Sequence, residues 1–145
     1  MKYVWSVLLA GALLLSSCTT AGGLQVNEGW ARPAAAGDNA AVYFELDNQA
    51  AQADELTGVS TSVTDTVELH ESMKGSEDMM SMSPLTSVPI EPRTKVTFEP
   101  GGYHVMLVSL DQPLTEGEQF DVILHFKQAG DVPLTVTVSL NGPNP

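Results

Sequence analysis

Two segments of this sequence concentrate side chains that bind soft metal ions. The first holds His70, Met73, Met79, Met80 and Met82; the second holds His104 and Met106. A thioether is neutral and polarisable, and soft ligands of this kind select Cu(I), while imidazole suits zinc, copper, iron and nickel. Zinc usually takes thiolate, imidazole or carboxylate. Two imidazoles and two thioethers around Cu(I) form a neutral ligand set with no thiolate. Such a site survives an oxidising compartment, where an exposed cysteine is oxidised. Methionine more often fills cores, being apolar and adaptable. Core filling is a poor account of residues 73–82, because their neighbours are Lys74, Gly75, Ser76, Glu77, Asp78, Ser81 and Ser83. Methionines in so polar a run are expected to be exposed.

Strand periodicity sets where these groups point. Residues i and i+2 of a strand share a face. His104 and Met106 therefore project together, with Tyr103, Val105 and Leu107 on the opposite face. His70 lies opposite Val67 and Leu69. His125 falls on the face away from Phe120, Val122, Leu124 and Phe126, beside Asp121 and Lys127, and reads as a hydrogen-bonded surface residue.

The elements that must carry these residues are short strands. Candidate strands are residues 24–30, 41–47, 54–60, 64–71, 93–99, 103–110, 119–127 and 133–140, rich in β-branched and aromatic types and alternating in hydropathy. Loops are marked by Pro33 and Gly37, by Pro100-Gly101-Gly102, by Pro113 and Gly117, and by Gln128–Asp131. Residues 72–92, with Pro84, Pro89 and Pro92, are expected to be hairpin and loop. No segment after residue 23 has a convincing 3.6-residue period. The pattern predicts an all-β, two-sheet antiparallel sandwich of about seven to nine strands.

Composition narrows the function. The chain has 145 residues, one Cys, and 6 Lys+Arg against 18 Asp+Glu. So acidic a chain is a poor nucleic-acid binder, because phosphate binding relies on Lys and Arg. One cysteine forms no internal disulfide and no Cys-rich zinc site. The N-terminus has a basic Lys2, then a twelve-residue apolar stretch, Val4 to Leu15. That stretch is short of the roughly 20 residues needed to cross a bilayer and fits a secretory signal. Leu15-Ser16-Ser17-Cys18 resembles a bacterial lipobox. The expected organisation is a lipoprotein signal peptide over 1–17, an acylated Cys18 with a tether over 18–23, and one β-sandwich domain over 24–145. Processing before Cys18 would leave 128 residues with five Lys+Arg and 18 Asp+Glu, a net charge of −13.

The soft-ligand spacing carries a family resemblance. His70, eleven residues, Met82, twenty-one residues, His104, one residue, Met106: this resembles the signature of the PCuAC (DUF461) family of bacterial envelope copper chaperones. The optional Met after the first His is Glu71 here. Gly29-Trp-Ala-Arg-Pro33, Ala41-Val-Tyr-Phe44 and Pro100-Gly-Gly-Tyr-His-Val-Met-Leu107 fit as well, so the resemblance spans roughly residues 24–140. It implies a cupredoxin-like sandwich binding one Cu(I) through His70, Met82, His104 and Met106. It implies an extracytoplasmic, lipid-anchored protein that delivers copper for the dinuclear centre of cytochrome c oxidase, to an oxidase subunit or another assembly chaperone. Some family members add a His- and Met-rich C-terminal tail, whereas this sequence ends Leu140-Asn-Gly-Pro-Asn-Pro145. Met73, Met79 and Met80 are extra soft atoms that the signature does not use. They are accessory ligands, a loading path, or loop residues.

Other classes fit less well. A blue-copper centre needs a Cys thiolate with two His, and Cys18 belongs to the lipobox. No Ser-His-Asp set, phosphate loop or thiol nucleophile can be placed from the sequence, so no enzyme is expected. The alternative is a structural or adhesion sandwich without metal, which fold alone does not separate from a chaperone.

Overall fold

The computed structural model describes residues 23–74 and 80–143. The expected signal peptide, Cys18 and Met79 lie outside the described residues. Ten strands follow one another: β1 (Leu24–Ala31), β2 (Ala40–Asn48), β3 (Asp54–Thr61), β4 (Thr66–Lys74), β5 (Met80–Leu85), β6 (Val88–Ile90), β7 (Thr94–Phe98), β8 (Tyr103–Val108), β9 (Gln119–Phe126) and β10 (Gly130–Val138). The described residues contain no helix.

The strands form a single hydrogen-bonded sheet in the order β5-β4-β8-β7-β2-β1-β10-β9-β3-β6, and β8 also pairs with β2. Most pairings are antiparallel; β1 with β10 and β7 with β8 are parallel. The sheet curls into a nearly closed, barrel-like shell with a cupredoxin-like fold. Alternate residues fill its interior: Val42, Phe44 and Leu46 from β2, Val105 and Leu107 from β8, Val122, Leu124 and Phe126 from β9, and Leu69 from β4. Phe44 stacks on Phe98 with ring centroids 4.3 Å apart. Each such fully buried side chain contributes about 1.5–3 kcal/mol relative to exposure.

The all-β expectation holds, with ten strands in place of seven to nine. The additional strands come from the proline-bearing stretch expected to be hairpin and loop. Residues 80–85 pair with β4, and Val88–Ile90 pairs with β3. Val88 and Ile90 are buried while Pro89 between them is exposed. Proline lacks the N–H of a ladder donor and is tolerated on an edge strand, which is where β6 lies. The last strand starts earlier than expected, at Gly130 rather than 133. The Asp54 carboxylate accepts the backbone N–H groups of Gln128 and Ala129 at 2.8 and 2.9 Å, and Gly130 takes φ +76°. These contacts tighten the turn and let β10 begin at once.

Candidate metal centre

The candidate ligands lie on the outer face of β5, β4 and β8. His70 on β4 is directly opposite His104 on β8. The neighbouring core pair, Leu69 and Val105, faces inward, so both imidazoles face outward, as period-two alternation predicts. Their ring centroids are 5.6 Å apart at an interplanar angle of 69°. His104 is 3% exposed, and the His70 side chain 14%.

Each imidazole is tied by one nitrogen only. His70 Nε2 is 2.8 Å from Glu68 Oε2. His104 Nδ1 is 3.2 Å from the Gly102 carbonyl. A carboxylate and a carbonyl can only accept, so each imidazole donates there. In the neutral ring the other nitrogen then carries a bare lone pair. Those nitrogens, His70 Nδ1 and His104 Nε2, are buried and have no hydrogen-bond partner. A buried unsatisfied polar atom costs about 1–3 kcal/mol. Two of them on adjacent, edge-on rings suit an acceptor of lone pairs such as a metal ion.

The thioethers flank this pair. Met106 pairs with Glu68 on β4, and Met82 on β5 pairs with Ser72. Both are in register with the outer face and stand on opposite sides of the His70–His104 row, two residues from it. Diagonal neighbours of this kind lie about 7–8 Å apart, within reach of long side chains. The two methionine rows are four residues apart, about 13 Å along the strand. The sheet thus brings the histidines into contact and sets one methionine at each end. Met106 is partly buried, while Met82 is 60% exposed on the edge strand. Met80, also on the outer face, reaches toward Gly101, where an added Cβ would meet its Cε at 3.9 Å. Met73 is exposed and, by alternation, on the other face of β4. Exposure of Met73, Met80 and Met82 was expected from their polar neighbours.

Three surrounding residues escape the sequence reading. Glu68 is the most legible, because two residues before His70 on a strand means the same face. Gly102 is not. Its carbonyl is delivered by the Glu99–Gly102 turn, where Gly101 has φ +88°, and it also accepts the backbone N–H of Ser72 at 3.0 Å. Tyr43 arrives through the β2–β8 register. It is 6.5 Å from the His104 ring and 4.6 Å from Trp30, centroid to centroid. The four rings Trp30, Tyr43, His104 and His70 thus run across four strands. Burial pushes the Tyr43 phenol above its ordinary pKa, partly opposed by the charge of Arg32. Among the described residues no group of three or more His, Cys, Asp and Glu could hold a metal ion.

Residues 24–138 match the family model for LpqE-like putative lipoproteins. The chain belongs to the LpqE-like family. It is 29% identical over 120 residues to the putative lipoprotein Lxx21020 of Leifsonia xyli subsp. xyli, covering 81% of this chain and 70% of that protein. Among solved structures it resembles the copper-bound PCuAC domain from PmoF2, with TM-score 0.69 and 26% identity, covering 84% of this chain and 95% of that one. It also resembles the Cu(I) form of DR1885 from Deinococcus radiodurans, with TM-score 0.57 and 28% identity, covering 85% and 84%. The PCuAC resemblance read from the sequence is borne out by these neighbours of the LpqE-like chain.

Proposed function

We propose that this LpqE-like chain is an extracytoplasmic metallochaperone that carries Cu(I) on His70, Met82, His104 and Met106. It delivers the ion for assembly of a cytochrome c oxidase copper centre. It is not an enzyme, and copper is its cargo. Cys18 is its lipid attachment point in the bacterial envelope, after removal of residues 1–17, and residues 24–145 form the carrier domain. Its acceptor is an oxidase subunit or another assembly chaperone. Met80, on the same face as Met82, is an accessory thioether.

The observation that carries this reading is the histidine pair. Two adjacent imidazoles each have one nitrogen tied by an acceptor and the other buried without a partner. A structural sandwich gains nothing from such a pair and bears its cost. The similarity to domains solved with copper supports the choice of metal. Thioethers at an edge strand suit a carrier, because weak neutral ligands exchange readily with an acceptor's ligands.

Titration with Cu(I) against a competing chelator tests the proposal. One equivalent should bind, and the His104→Ala/Met106→Ala double variant should lose at least about 100-fold in affinity, the upper end of what even outer-shell changes cost a metal site. Unchanged affinity in that variant would remove the site assignment. Transfer of the ion to purified oxidase subunits tests the choice of acceptor.

A further inference from the structure

The third histidine, away from the β5–β4–β8 face, is built into a different constellation. His125 Nδ1 is 2.7 Å from Asp131 Oδ1, and His125 Nε2 is 2.9 Å from Ser60 Oγ. No Ser-His-Asp set was legible in the sequence, because the three residues come from β3, β9 and β10 and meet only through register. His125 is opposite Asp131 on one side and Gly58 on the other. Gly58 has no side chain, and a Cβ there would lie 4.0 Å from His125 Cδ2. The imidazole can therefore extend past Gly58 to Ser60, the next residue of β3 on that face.

The chemistry of the contacts assigns the protons. The Asp131 carboxylate only accepts, so His125 donates from Nδ1. In the neutral ring Nε2 then holds a lone pair and accepts the Ser60 hydroxyl proton. This is the arrangement of an activated nucleophile: hydroxyl, base, and an acceptor that fixes the base's tautomer. Ser60 is exposed, and its cross-strand partner on β9 is Ile123, which is 41% exposed and pairs in turn with the exposed Pro133. An apolar strip thus runs beside the hydroxyl.

We propose that Ser60 is a base-activated acylation site that takes short apolar acyl groups from activated esters. In the step, Ser60 Oγ attacks the ester carbonyl carbon and passes its proton to His125 Nε2. The bond to the leaving oxygen breaks, and His125 returns that proton to the departing alcohol. The products are a Ser60 ester and the free alcohol. General-base assistance is worth about 10²–10⁴-fold, and this sets the scale expected.

The test treats the full chain, purified in detergent, with p-nitrophenyl butyrate and maps the product by peptide mass spectrometry. One butyryl group is expected on Ser60, absent in Ser60→Ala, with its rate of formation reduced about 100-fold in His125→Ala. Asp131→Asn, at an exposed position that should not disturb folding, should also slow it by at least about tenfold, because the amide no longer fixes the tautomer. Acylation confined to lysines or the amino terminus would overturn the proposal. So would a Ser60 rate indifferent to both His125→Ala and Asp131→Asn in variants whose thermal melts show them folded.

Discussion

His104 destabilises the metal-free protein in order to be ready for a ligand. Its Nε2 is buried without a partner, a condition costing about 1–3 kcal/mol. His104→Leu should therefore raise the urea midpoint of the metal-free chain, by about 1 kcal/mol in unfolding free energy, and abolish stabilisation by Cu(I). A fall in metal-free stability would show that the nitrogen is not a burden. Glu68 acts on His70 from outside, fixing which nitrogen is bare. Outer partners of this kind are worth about 10–100-fold in metal affinity, so Glu68→Gln should weaken Cu(I) binding by about tenfold in the same chelator competition. Tighter binding would mean that Glu68 competes with the ion for His70. The candidate ligands were legible because soft side chains cluster in two segments and their spacing resembles a family signature. Glu68 was legible in principle through strand alternation, whereas Gly102 and Tyr43 enter through a turn and a register that no local pattern specifies.

Strands set how the site can close. β8 is held on both sides by other strands, while β5 is an edge strand paired only with β4. His104 and Met106 thus sit on a strand held on both sides, and in the proposed ligand set Met82 would join them from the edge strand across its two-residue offset. Loading with Cu(I) should slow amide exchange in β4 and β5 and protect Met82 from peroxide oxidation; equal oxidation with and without the ion would exclude Met82 as a ligand. On the far side of the ring row, β1 is bent by a bulge between Asn27 and Trp30, and Glu28 has φ 59°. A Cβ on Gly29 would lie 2.7 Å from the Thr135 carbonyl oxygen. Gly29→Ala should cost about 1–3 kcal/mol, as overpacking does, read as a lowered urea midpoint. Most strands were visible as alternating runs bounded by Gly and Pro. β5 and β6 were not, because three prolines obscure a stretch whose pairing depends on being at a sheet edge.

The whole shell is stabilised by its core and tuned at its surface by a few charges. Glu55 ties β3 to its neighbours by accepting hydrogen bonds from Ser87 and from Lys127 Nζ, the latter at 3.2 Å. The Ser87 bond, followed by the contact with Lys127, holds the Glu55 carboxyl below its ordinary pKa. A depressed carboxyl stabilises the fold above its unfolded pKa and loses that effect as pH falls through the folded value. Glu55→Gln should therefore show a smaller drop in melting temperature than the parent on acidification below about 4.5. An identical drop would show that Glu55 is not part of the acid response. The all-β class was readable from the absence of any helical period, but the single continuous sheet was not, since the parallel β1–β10 pairing joins segments distant in sequence. That placement of β1 has a consequence for posture. Trp30 stands on the ring row that ends at His70, while Leu24 lies six residues back along the same strand, about 20 Å away. If Cys18 is acylated as proposed, the chain that follows it enters the shell at Leu24, most of a strand's length from the histidine pair, and an acceptor protein would approach that pair from the far end of β1.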